Sequence, residues 1–63
     1  MPEAPKPNLA DLIWDTEIVV RRLRLLADMY ALAGLDQTAD RAILQARGWQ
    51  KVVDVIAGAM VLA

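Results

Sequence analysis

Apolar residues recur at intervals of four and three along the first half of the chain, the spacing that places side chains on one side of an α-helix. This row consists of Leu12, Thr16, Val19, Leu23, Leu26, Tyr30 and Ala33. Ile13, Val20 and Ala27 widen it on one flank. We expect it to be the core side of a long first helix.

The ends of that helix have recognisable signals. Asn8 is a good N-cap residue. Asp11 stands three positions later, where the positive end of the helix dipole stabilises a negative charge. Gly34 is suited to the left-handed position that follows a helix. The sequence therefore predicts a helix from Asn8 to about Ala33.

A second apolar stripe lies on the opposite side of the same helix, with charged residues on both of its edges. We call it the Trp14 stripe, and its members are Trp14, Ile18, Leu25, Met29 and Leu32. A helix that packs on one side only is expected to be polar on the other. The Trp14 stripe therefore predicts a contact with another chain.

The second half of the chain repeats the helical pattern after a turn at Gly34, Leu35 and Asp36. We expect a helix from near Gln37, capped by Asp36 or Thr38. One apolar row comprises Ile43, Ala46, Gln50, Val53, Ala57 and Met60, and its neighbour Ala42, Trp49, Val52, Ile56, Ala59 and Ala63. The polar side is narrow, so this helix is apolar over most of its circumference.

Gly48 leaves two readings of the second half open. A glycine inside a helix costs about 1 kcal/mol relative to alanine. The heptad phase passes through Gly48 unbroken, which favours one continuous helix. The alternative is a break at Gly48, with Trp49 opening a third helix.

The predicted fold is an all-α antiparallel helical hairpin over residues 8–63, preceded by a flexible proline-rich arm at 1–7. A chain of 63 residues forms one domain and buries only about 60% of its unfolded surface. Cysteine is absent, so disulfides do not add stability. Hydrophobic residues nevertheless make up 57% of the chain. We therefore expect two hairpins to associate into a four-helix bundle with two-fold symmetry.

The residue types argue against catalysis. The sequence contains no Ser, Cys or His, which excludes covalent catalysis by a Ser or Cys nucleophile and a histidine acid or base. Asp11 and Asp15 lie on one helix face and could hold a cation, but acidic residues are ordinary at a helix start. We expect no enzyme activity, no cofactor, no metal and no small-molecule substrate.

The predicted function is a non-enzymatic, self-associating interaction protein of the cytoplasm, such as an adaptor, assembly factor or small regulatory subunit. Its partner is a second copy or a larger protein. Its predicted interface combines the Trp14 stripe with Val52, Ile56 and Met60 of the second helix. An accessory subunit of a larger enzyme or membrane complex is an alternative within this class.

A nucleic-acid-binding regulator is the other alternative. Arg21, Arg22 and Arg24 could contact phosphates, with Arg41 and Arg47 in support. Against it, Glu17 and Asp28 stand four residues from Arg21 and Arg24, a spacing typical of exposed ion pairs. The net charge of −1 provides no attractive field for nucleic acid. No apolar run reaches the length of a membrane span.

Overall fold

The computed structural model describes residues 8–62, and this part of the chain consists of two long α-helices. Helix α1 spans Leu9–Leu32 and helix α2 spans Asp36–Leu62. The helices run antiparallel and pack against each other, and residues 8–62 contain no strand. The predicted all-α helical hairpin is confirmed. The predicted arm at 1–7 lies outside the described residues.

Helix α1 begins where the capping signal predicts. The Asn8 side-chain oxygen accepts a hydrogen bond of 2.8 Å from the backbone N–H of Asp11. This bond satisfies one of the N–H groups that the first turn of a helix leaves without a partner. Asp11 adds a negative charge to the same turn.

Helix α1 ends in a Schellman motif. The Gly34 N–H donates to the carbonyl of Ala31 at 3.0 Å, and the Leu35 N–H donates to the carbonyl of Tyr30 at 2.8 Å. Gly34 has a φ of +80°, which glycine adopts without the steric cost of a Cβ. The predicted role of Gly34 is confirmed.

The predicted caps of α2 are wrong. Asp36 is the first residue of the helix, and Thr38 lies inside it. The residue that precedes the helix is Leu35, whose carbonyl accepts a 2.9 Å bond from the Ala39 N–H. The turn is so short that Leu35 both closes α1 and opens α2, which leaves no separate position for a polar cap. Asp36 instead contributes its charge to the first turn.

Helix α2 is continuous through Gly48, so the three-helix alternative is wrong. The contact with α1 continues beyond Gly48 to Val53, which is buried. Packing of this kind supplies most of the stability of helices in proteins and outweighs the low propensity of one glycine.

The contact between the helices is built mainly from small side chains. Its buried members are Thr16, Val20 and Ala27 of α1 and Ala39, Ala42, Ala46 and Val53 of α2. The Thr16 hydroxyl donates a 2.7 Å hydrogen bond to the Leu12 carbonyl, so its polar group is satisfied within α1. Alanines on both helices allow the backbones to approach closely. Among the described residues no large side chain is fully buried.

The predicted core row of α1 is only partly the observed contact. Thr16 is buried and Leu23 and Tyr30 are half-buried, but Ala33 is exposed. Leu12, Val19 and Leu26 remain 45%, 42% and 40% exposed. The contact is centred one residue later, on Val20 and Ala27, because the alanines of α2 pack closest against that flank. The expectation that the hairpin alone buries Leu12, Val19 and Leu26 is therefore wrong.

A similar shift occurs on α2. Ala39, Ala42, Ala46 and Val53 are buried, Gln50 and Ile56 are half-buried, and Ile43, Trp49, Val52 and Met60 are exposed. The contact therefore includes residues from both of the predicted rows, and it does not bury every member of either row. Large apolar side chains consequently remain at the surface of both helices.

Two glycine substitutions should have opposite effects on stability. Replacing Gly34 with Ala should lower the free energy of unfolding by about 1–2 kcal/mol, because its φ of +80° is strained for a residue with a Cβ. Replacing Gly58 with Ala should raise it by up to about 1 kcal/mol, because its Cβ would meet nothing within 4 Å. Urea denaturation at one protein concentration measures both. A Gly34→Ala variant as stable as the parent would contradict the turn described here.

The close approach of the helices predicts a penalty for a larger residue at Ala46, which is 1% exposed. Replacing Ala46 with Leu should cost about 1–3 kcal/mol, because the helices must separate or the side chain must adopt a strained rotamer. Replacing Ala31, which is exposed, with Leu is the matched control and should change stability by less than about 0.5 kcal/mol. Equal effects at the two positions would mean that the helices do not meet at Ala46.

Candidate functional site

Open clefts run between the helices on both sides of their contact, and they identify which residues share each flat side of the hairpin. One cleft is lined by Asp15, Thr16, Val19 and Trp49. A second is lined by Leu26 and Tyr30 of α1, with Leu23 beside them, and by Thr38, Arg41, Ala42 and Gln45 of α2. Val19 and Leu26 are seven residues apart and therefore project from the same side of α1. The two clefts thus open on one flat side.

This side is predominantly apolar, and we call it the apolar face. Residues seven or eleven positions apart share a side of a helix, which adds Leu12 to the α1 members and Ile56 and Met60 to the α2 members. The apolar face comprises Leu12, Val19, Leu26, Trp49, Val52, Ile56 and Met60. Trp49, Val52 and Met60 are 46%, 40% and 41% exposed. A surface of this kind on a small protein usually marks an interface.

The opposite flat side is polar, and we call it the charged face. Its clefts are lined by Glu17, Arg21, Arg24, Asp28, Arg47 and Gln50 and by the exposed Ile43, with the buried Val20, Ala27 and Ala46 beneath. The Gln50 amide donates a 3.3 Å hydrogen bond to the Asp54 carboxylate on the same helix. Glu17 and Asp28 flank Arg21 and Arg24 along α1, and Arg47 lies on α2. The acidic groups therefore offset most of the positive charge, and the face has no strong net sign.

The Trp14 stripe lies on a third side, along the outer edge of α1. Ile18 is two residues from both Thr16 and Val20, which rotates it by about 160–200° from the contact with α2. Trp14 and Leu32 are 66% and 90% exposed, Leu25 and Met29 are exposed, and Ile18 is half-buried. The stripe therefore points away from α2.

The structure does not bring the two halves of the predicted interface together. Val52, Ile56 and Met60 belong to the apolar face, whereas the five residues of the Trp14 stripe lie on the outer edge of α1. They form two separate surfaces. Sequence reasoning missed Leu12, Val19 and Leu26 as surface residues because it assigned them to the core, and it gave Trp49 no role at an interface. The breadth of the apolar arc, which is wider than one helix contact needs, was the signal that could have found them.

The arginine cluster is divided in a similar way. Arg21 and Arg24 line the charged face, each four residues from an acidic side chain. Arg22 stands seven residues after Asp15, which lines a cleft of the apolar face. Arg22 and Asp15 therefore share the rim of the apolar face. The three predicted phosphate contacts do not form one basic patch.

Other kinds of site are not indicated in the part of the chain that the structure describes. Residues 8–62 contain no group of three or more acidic residues positioned to hold a metal ion. Neither of the two described helices has the length and apolarity needed to cross a membrane.

Comparisons with protein families, curated proteins and solved structures find no match. The surfaces of the hairpin therefore provide the evidence for function. The surfaces that include α1 are apolar in two places, namely the apolar face and the Trp14 stripe; on the outer edge of α2, Leu44 and Val55 are 64% and 72% exposed. The apolar face extends across both helices, whereas the Trp14 stripe occupies one.

Proposed function

We propose that the protein is a non-enzymatic interaction protein that acts as a self-associated pair of hairpins, with a second copy covering the apolar face to complete a four-helix bundle. The observation that carries the proposal is the rotation between two rows of α1. Val20 and Ala27 contact α2, and the exposed Val19 and Leu26 each precede them by one residue. One residue is a rotation of about 100°.

This angle has a direct structural meaning. In a two-helix hairpin each helix has one neighbour, so one apolar row is sufficient. In a four-helix bundle each helix has two neighbours in directions that differ by roughly a right angle. A second row rotated by about 100° from the first supplies the second contact.

The area of the apolar face supports a stable pair. Aromatic side chains bury roughly 200 Å² each. With this as an upper value for every member, the exposed fractions of the six most accessible members correspond to at most about 500 Å² of apolar surface. A standard interface buries about 800 Å² per partner, a little over half of it apolar. The apolar face is therefore large enough for an interface between two copies.

The alanine-rich contact supports the same proposal from the energetic side. Among the described residues, sixteen large apolar side chains are exposed in the single hairpin. Burial is worth roughly 25 cal/mol for each Å² of apolar surface. A second copy on the apolar face would remove many of these side chains from water without changing the fold of either hairpin.

A second candidate function concerns the Trp14 stripe. A copy seated on the apolar face would leave this stripe uncovered, because it points away from α2. Tryptophan is enriched among residues that dominate binding energy. We propose that the stripe binds an unlike, larger protein, which would make the pair of hairpins an adaptor or an accessory subunit.

The nucleic-acid alternative has less support. Arg21 and Arg24 share a face with Glu17 and Asp28, and Arg22 is on a different side. A protein that binds phosphates usually gathers its basic groups on one surface. The charges of this hairpin favour solubility over a nucleic-acid interface.

Two aspartate substitutions distinguish self-association through the apolar face from self-association through the Trp14 stripe. Replacing Val19 with Asp should weaken self-association at least tenfold, because the charge would be buried without a partner. Replacing Leu25 with Asp is the matched control on the stripe and should leave self-association within about twofold of the parent. Light scattering over a dilution series measures both, and circular dichroism checks that each variant remains helical. If only Leu25→Asp dissociates the protein, self-association uses the Trp14 stripe and the proposal for the apolar face is wrong.

A further inference from the structure

The proposed function leaves open which way the second copy lies on the apolar face, and the inference that follows rests on that function. Two arrangements keep all neighbouring helices antiparallel. With the turns at the same end, α1 lies over α2 of the second copy. With the turns at opposite ends, each helix lies over its own counterpart. The positions of apolar and charged residues distinguish these arrangements.

The register of the hairpin provides the reference. Val19 and Trp49 line one cleft on the apolar face. Val20 and Gln50 line a cleft on the charged face. Residues 19–20 of α1 are therefore at the same level as residues 49–50 of α2.

The exposed row of α1 is symmetric about this level. Leu12 and Leu26 each stand seven residues from Val19, and all three are exposed to a similar extent. If a second α1 lies antiparallel over the first with Val19 at the centre, Leu12 meets Leu26 of the second copy at both ends. Val19 then meets Val19 of the second copy.

The row of α2 on the same face has a centre of its own. The midpoint between Trp49 and Val52 lies between Gln50 and Lys51. Gln45 and Ile56, which stand farther out, have the same midpoint. An antiparallel α2 pair centred there places the large Trp49 against the small Val52 of the second copy. One two-fold axis requires the two centres to be at the same level. The register of the hairpin places them within about one residue of each other.

The two charges on the α1 rim agree with this centre, whereas Arg41 of α2, which lines a cleft on the same side, lies across from Met60 of the second copy and does not distinguish the arrangements. Asp15 and Arg22 lie on the rim of the apolar face, and their midpoint is within one residue of Val19. In an antiparallel α1 pair the Asp15 carboxylate is therefore at the level of the Arg22 guanidinium of the second copy, and this opposite-charge pair occurs twice. With the turns at the same end, Asp15 and Arg22 lie across from residues near Asp54 and Arg47 of the second copy. Those two residues project away from the apolar face, so Arg22 gains no acidic neighbour there.

We infer that two hairpins pair with their turns at opposite ends, across a two-fold axis that passes through the apolar face at Val19 and between Trp49 and Val52. Reciprocal Asp15–Arg22 pairs select this orientation and register. The ligand of the apolar face is thus a second copy of the chain, in one defined orientation.

Cysteine cross-linking tests the orientation without background, because the chain has no cysteine of its own. A Val19→Cys variant should form disulfide-linked dimers readily on mild oxidation, since the two thiols would meet on the axis. Mixing Val19→Cys and Val52→Cys chains should give no disulfide between unlike chains. A Leu25→Cys variant on the Trp14 stripe should cross-link at least tenfold more slowly than Val19→Cys.

The outcomes separate this inference from the proposed function. Disulfides between Val19→Cys and Val52→Cys chains, with none between Val19→Cys chains, would mean that the turns lie at the same end; the inference would be wrong while self-association through the apolar face would stand. Preferential cross-linking of Leu25→Cys would overturn the apolar face itself. An absence of cross-linking, together with a monomeric parent protein at the same concentration, would overturn both.

Charge reversal is a second readout that introduces no cysteine. Asp15→Arg and Arg22→Asp should each weaken self-association about three- to tenfold, because each places like charges together at two symmetric sites. The double variant Asp15→Arg/Arg22→Asp should return to within about twofold of the parent, since the pairs are restored with their signs exchanged. Additive weakening in the double variant would contradict the opposite-end arrangement.

Discussion

Ala27 on α1 and Ala42 and Ala46 on α2 allow the two helices to approach closely, and the other properties of the hairpin follow from this contact. Close approach places small side chains between the helices and leaves the larger ones, such as Val19, Leu26 and Trp49, beside the contact instead of inside it. The hairpin consequently buries no large side chain completely in its described part. The proposed second copy would cover part of the remaining apolar surface.

The three sides of α1 that do not face α2 differ in what they offer. The apolar face extends over both helices and has opposite charges on its α1 rim, as expected of a surface that pairs with a copy of itself. The charged face carries acidic and basic groups that largely offset each other, and it is suited to water. The Trp14 stripe is narrow and confined to one helix, so it fits a partner groove or helix better than a flat interface between hairpins.

Local signals in the sequence predicted the course of the backbone well. Asn8 and Gly34 mark the two ends of α1 because a side-chain cap and a left-handed glycine act within a few residues of the chain. The continuity of α2 followed from the unbroken heptad phase across Gly48. The start of α2 was missed because Leu35, a residue without capping chemistry, is shared by the two helices in a three-residue turn.

The direction of packing could not be predicted in the same way. The periodicity of α1 shows a broad apolar arc, and that periodicity alone does not decide which part of the arc meets α2. The small Ala27 of α1 and the alanines of α2 decide it together, because the helices approach most closely where small side chains face each other. The sequence therefore predicted that the α1 residues of the apolar face belong to the core. It predicted that the Trp14 stripe alone forms the α1 side of the interface, because that stripe is visible as a separate row.

Sedimentation equilibrium of the unmodified chain over a range of micromolar concentrations shows whether two hairpins associate. We expect a helical species of twice the 6.9 kDa chain mass that dissociates on dilution. A fully helical, stable monomer of 6.9 kDa across the whole range would contradict this expectation, because the apolar face would then remain in contact with water.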